Sequence, residues 1–112
     1  MTSHSDWSDN RPFSELYQEA GDDWADREAA ATLLEDCKSA VLAQWCAEQG
    51  DIPVNRAEQT VKASPRWRAY INDTIEARKA ANKAKVRLES IKMRAMEFQA
   101  REANARVEAR LT

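Results

Sequence analysis

Glycine occurs twice and proline three times in 112 residues. Turns draw heavily on those two residue types, so a fold that reverses its chain many times is excluded and a few long helices are expected. Aromatic residues make up 7% of the chain and charged ones 32%, too little ring and too much charge for a deep globular core. No apolar run approaches the length of roughly 18 residues that a membrane span needs, and the polar, acidic start over residues 1–10 is unlike a signal peptide. Histidine occurs once, as His4, so neither a Ser/His/Asp nor a Cys/His arrangement can be assembled within an ordered part of one chain. Glycine-rich phosphate loops and zinc-ligand spacings are missing as well. Cys37 and Cys46 stand nine residues apart on one expected helix, about 13 Å along its axis, which is too far for a mutual disulfide. These absences point to a chain without catalytic residues, metal or cofactor, with reduced structural thiols of the kind a cytoplasmic protein carries.

What the sequence has in plenty is alanine and charge, the mixture of coiled coils and long helical hairpins. The net charge of -2 hides a segregation. Residues 1–60 hold thirteen acids against four bases, a net of −9, and residues 61–112 hold thirteen bases against six acids, a net of +7. The two halves either neutralise each other or face different partners.

Residues 1–20 read as a flexible acidic N-terminal segment: disorder through Pro12, then at most a short helix over 14–20, broken by Gly21. Residues 21–112 read as a helical hairpin domain. A first long helix, capped by Asp22 or Asp23, is expected to run to about Gln49 with Leu34, Cys37, Val41 and Trp45 on its apolar stripe. Gly50 is placed to terminate it. After a turn at 51–53 and a short helix over 55–63, Ser64-Pro65 is a start signal: an N-cap serine followed by proline at the first helical position. From Pro65 to Leu111 there is no glycine or proline, enough for a helix about 70 Å long.

Along that stretch a 3-4 apolar spacing holds for more than five heptads. Trp67, Thr74, Ala81, Leu88 and Ala95 form one row before Glu102 interrupts it; Tyr70, Ala77, Ala84, Ile91, Phe98 and Ala105 form the other. The repeat of 3.5 residues predicts a coiled-coil helix. Of its twelve flanking residues seven are basic, among them Arg78, Lys85, Arg87 and Lys92. Like charges would therefore face each other if two copies paired in parallel through this seam, and the acidic first helix is the better neighbour. The expected fold is all-α, an antiparallel helical hairpin with a long C-terminal coiled-coil helix.

The first helix is expected to be about 27 residues against about 46 for the last, so the end around 93–111 should project past it. Met93, Met96, Phe98, Val107 and Leu111 would then be uncovered. A homo-oligomer or hetero-complex is expected through that end, with Leu88, Ile91, Met96, Phe98, Val107 and Leu111 as interface residues. A basic band of Arg66, Arg68, Arg78, Lys79, Lys83, Lys85 and Arg87, interleaved with Trp67 and Tyr70, offers phosphate-neutralising and base-stacking groups for nucleic acid. A membrane partner is not expected, because the polar face near the end carries both signs of charge.

The stretches 56–70 and 75–111, within a match over 33–111, resemble a family of small uncharacterised helical proteins of tailed phages and prophages. The most specific part is 98–111, with Arg101, Glu102, Ala103 and Arg106; where the family often carries a tryptophan soon after the phenylalanine, this chain has Gln99-Ala100. The resemblance implies a protein often encoded near recombination functions and located in the cytoplasm of an infected or lysogenic bacterial host. The expected function is a non-enzymatic host-takeover protein that binds and modulates a host or phage protein of DNA recombination, replication or defence. The alternative is a DNA- or RNA-binding accessory factor that uses the basic C-terminal helix.

Overall fold

Four α-helices, and no strand, account for the regular structure of residues 10–111, the part of the chain described by the computed structural model. Helix α1 spans Phe13–Asp36 and α2 Lys38–Ala47; α3 spans Val54–Lys62 and α4 Pro65–Leu111. The chain is thus all-helical with a long C-terminal helix, as the shortage of turn residues predicts.

Helix α1 begins earlier than expected. The Pro12 carbonyl accepts the backbone N–H of Glu15 at 3.0 Å and of Leu16 at 3.2 Å, and the helix continues through Gly21 without interruption. The break expected at Gly21 is therefore corrected. A glycine inside a helix costs about 1 kcal/mol against alanine, and burial of Leu16 and Ala20 on the preceding turn more than offsets it. Residues 13–20 accordingly belong to α1 and not to a flexible segment; the part of that expectation covering residues 1–9, with His4, lies outside the described residues.

The single helix expected up to Gln49 is divided at Cys37 (φ −82°, ψ −5°), although the Cys37 N–H still reaches Leu33 O at 3.0 Å and Val41 N–H reaches Cys37 O at 2.9 Å. Gly50 ends α2 in the left-handed region at φ 87°, where glycine carries no Cβ penalty. At the start of α3 the Pro53 carbonyl accepts the Ala57 N–H at 3.0 Å. Ala57 and Val61, one turn apart, are its buried residues, and α3 packs beside α2. Ser64 caps α4 as its position predicts: its hydroxyl accepts the Trp67 N–H at 3.2 Å and donates to the Val61 carbonyl, satisfying one of the orphan donors of the first turn.

The chain divides into two compact units. One combines the chain up to Trp24 with the chain from Lys83 onward; its core is Leu16, Ala20 and Ile91, with Phe13 and Leu88 packed against them. The other runs from Ala25 to Asn82 and buries Ala31, Ala57, Val61, Trp67 and Ala81. In it Trp67 stacks on Tyr70 (centroids 5.6 Å apart, 21° between planes), and Trp45 meets both rings edge-on at 6.0 Å. Burial along α4 follows the 3-4 spacing closely: its buried residues, Trp67, Ala81, Ala84 and Ile91, all stand on the two rows read from the sequence.

Candidate functional site

The basic residues of α4 divide by what they touch. In the unit from Ala25 to Asn82, Arg78 is clamped by two carboxylates of α1. Its Nε and Nη2 donate to Glu35 at 2.8 and 2.7 Å, and its Nη1 donates to Glu28 at 2.6 Å. Nη2 also approaches the Thr32 hydroxyl at 3.5 Å. The hydrogen bond from Arg78 holds the Glu35 carboxyl below the usual carboxylate range. The bonds to Glu35 and then Glu28 fix the guanidinium in its charged form. Arg66 donates to Glu48 at 2.8 Å and lies 3.8 Å from the centroid of the Trp45 ring, a cation–π contact.

Of the residues expected in a nucleic-acid band, Arg78 thus commits its donors to carboxylates of α1, and Arg66 pairs with Glu48 on the surface, its side chain 56% exposed. The reason is electrostatic: α1 brings Glu28 and Glu35, and the end of α2 brings Glu48, onto the basic flank of α4. Trp67 and Tyr70 are likewise engaged in packing. Trp67 is 7% exposed, and the Tyr70 hydroxyl donates to the Leu34 carbonyl. Arg68 and Lys79 are exposed and have no carboxylate partner among the described residues.

In the other unit Arg87 approaches Glu19 at 3.9 Å, and Glu19 also receives Arg11 at 2.6 Å. The Lys85 ammonium stands 6.0 Å from the Trp24 ring centroid. Lys83 is exposed without a carboxylate partner among the described residues. Glu19 precedes Gly21 and so lies outside the first long helix that the sequence predicts from Asp22 or Asp23. Gly21 is a tolerated interior glycine, so the helix that carries Glu19 is continuous with the acidic stretch after it.

The apolar interface residues also divide. Ile91 is 2% exposed and Leu88 packs beside it against Leu16 and Ala20, so both belong to an intramolecular core and not to an outer interface. Phe98 meets Phe13 at 5.7 Å with the rings tilted by 57°, leaving it half covered. The earlier start of α1 explains both corrections, since it supplies cover that a helix beginning at Asp22 lacks. Met96, Val107 and Leu111 are exposed at 59, 52 and 81%, and Met93 at 61%. These residues remain as an uncovered apolar surface on the last turns of α4.

An open groove of about 560 Å³ lined by Leu42, Ala43, Cys46, Ile52, Val54 and Ala57 forms where α3 folds back beside α2, a feature that no local sequence pattern signals. Cys37 and Cys46 are free thiols, each half-buried. Among the described residues no group of three His, Cys, Asp or Glu side chains comes together as a metal site, and no helix is long and apolar enough to cross a membrane. Compared with known proteins, the chain matches no family model, no curated protein and no solved structure.

Proposed function

We propose that this chain is a non-enzymatic interaction protein of tailed phages or prophages. It acts in the cytoplasm of an infected or lysogenic host by binding and modulating a host or phage protein of DNA recombination, replication or defence. The observation that carries the reading is the end of α4. Beyond Phe98 every residue up to Leu111 is exposed, and Met96, Val107 and Leu111 offer water an apolar surface, which on a stable protein marks a contact site.

The architecture that presents this surface is an antiparallel helical hairpin in which α4 acts as a coiled-coil helix. The order of contacts supports it. In one unit Phe13 meets Phe98 while Gly21, eight residues on, faces Leu88. In the other, Glu28 meets Arg78, Leu34 meets Tyr70 and Glu48 meets Arg66. Partner numbers fall as the chain advances, and the contacts in α4 lie on or beside the 3-4 rows.

Affinity capture with the tagged full chain from infected and uninfected bacterial lysates tests the reading. The expected result is enrichment of a recombination, replication or defence protein that is lost in a Val107→Lys/Leu111→Lys variant of unchanged melting temperature. Enrichment of no such protein, or its equal enrichment by the variant, overturns the reading.

A second reading, a DNA- or RNA-binding accessory factor, draws on Arg68, Lys79 and Lys83, which are exposed and have no carboxylate partner among the described residues. It requires duplex affinity that falls steeply with salt and drops on changing those three residues to Glu. Salt-independent binding would remove it.

A further inference from the structure

We infer that the last turns of α4 carry a second heptad seam, distinct from the one that packs on α1, and that its occupant is a second copy of this chain lying parallel and in register. This rests on the proposed reading that the exposed end of α4 is a contact surface, and it names one partner of that surface.

The seam is Met93, Met96, Ala100, Ala103 and Val107, a 3-4-3-4 spacing in which every member is exposed. It is offset by five residues from the row that contains Leu88. Five residues turn an α-helix by roughly 140° beyond one full rotation, which turns Met93, Ala100 and Val107 away from α1, while Met96, with Lys92 and Gln99, borders α1 across an open groove shared with Phe13, Ser14 and Tyr17. Glu89 stands one step before Met93 and Arg110 one step after Val107, which confines the seam to about two and a half heptads. Alanines at its middle allow close approach of two backbones, and the methionines adapt to whatever shape meets them.

Charge complementarity selects the occupant and its direction. In a parallel pair the residue before each Met93-type position faces, on the partner helix, the residue five further on. Lys92 then faces Glu97 of the second copy, and Gln99 faces Asn104, each pair occurring twice by symmetry. Both contacts are favourable, opposite charge in the first and amide to amide in the second, and Lys92 and Glu97 are exposed. The intrachain Arg101–Glu97 pair, at 3.8 Å on side chains 79 and 59% exposed, is too loose to withhold that carboxylate. An antiparallel pair instead sets Lys92 against Arg106, a like-charge contact made twice. The basic flanks of the first seam forbid a parallel copy there, whereas the flanks of this second seam favour one.

Sedimentation equilibrium of the purified full chain, from micromolar to millimolar, provides the test. A monomer–dimer equilibrium is expected. Lys92→Glu weakens it by on the order of 5-fold, since two attractive pairs become repulsive, and Lys92→Glu/Glu97→Lys restores it to within about 2-fold. Met93→Glu abolishes the dimer while leaving unchanged the melting temperature measured at concentrations where the parent is monomeric. A monomer at every concentration overturns the inference, as does a dimer that Lys92→Glu strengthens or leaves unaltered. Because the protein is tested alone, a dimer that captures no lysate protein removes the proposed function and leaves this inference standing. A monomer that does capture one does the reverse.

Discussion

The Tyr70 hydroxyl of α4 donates a hydrogen bond to the backbone carbonyl of Leu34 in α1, across 36 residues of sequence. Leu34 lies less than one turn before Cys37, where the helix is interrupted. A side-chain donor that enters the i→i−4 ladder is one of the established causes of a helix break, and it accounts for the division of α1 from α2. Tyr70→Phe is expected to cost about 0.5–1.5 kcal/mol, the net worth of one intramolecular hydrogen bond, measured by urea denaturation. Burial, with a smaller push from Cys37, raises the Tyr70 pKa above 10.0. A raised native value means that the contribution is fully present below pH 10.0 and is lost as pH rises through the native value. The Phe variant should therefore lose less stability than the parent on going from neutral pH to strong alkali.

Core and end of α4 should respond unequally to truncation. Ile91→Ala removes a side chain that is 2% exposed within the Leu16–Ala20 cluster, and a loss of about 2–4 kcal/mol is expected in chemical denaturation. Val107→Ala, at a position 52% exposed, should stay within about 0.5 kcal/mol. Measured at a concentration where the chain is monomeric, equal losses at the two sites would show that Val107 is covered in the monomer.

The two glycines should respond with opposite signs. A Cβ at Gly21 would meet only Leu88 Cδ1, at 3.9 Å, an ordinary contact. Gly21→Ala should therefore stabilise α1 by about 0.5–1 kcal/mol through helix propensity. Gly50 holds φ 87° with open space around it; Gly50→Ala should destabilise by roughly 1 kcal/mol because the left-handed backbone carries a Cβ penalty. Thermal melts of both variants decide the matter.

Acid should weaken the clamp between Arg78 and Glu35. The native Glu35 pKa lies below its ordinary 4.5, held there chiefly by the Arg78 hydrogen bond. A depressed value places its stabilisation in full above pH 4.5 and removes it as pH falls through the native value. Glu35→Gln should flatten that part of the stability–pH curve, read from denaturation midpoints across the acid range. An unchanged curve would show that the pair contributes nothing in solution.

Helical content was legible from the sequence, because scarcity of glycine and proline and a regular 3-4 spacing are local properties that set backbone preference. So were the Ser64 cap, the Gly50 stop and the face of α4 that becomes buried, since each depends on residues within a turn or two of one another. The start of α1 was not legible. Gly21 is unfavourable locally, and only the cover that α1 and α4 give each other through Leu16, Ala20, Leu88 and Ile91 makes the helix continue through it. The break at Cys37 was equally hidden, for its cause is a tyrosine 33 residues further along the chain. Tertiary structure also decided which basic and apolar groups stay exposed. Arg78 and Arg66 find carboxylates and an aromatic face, Ile91 finds a core, and Arg68, Lys83, Met96 and Val107 keep to the surface. Charge and spacing fix what a side chain can do, whereas its neighbours in space determine whether it is still available to a partner.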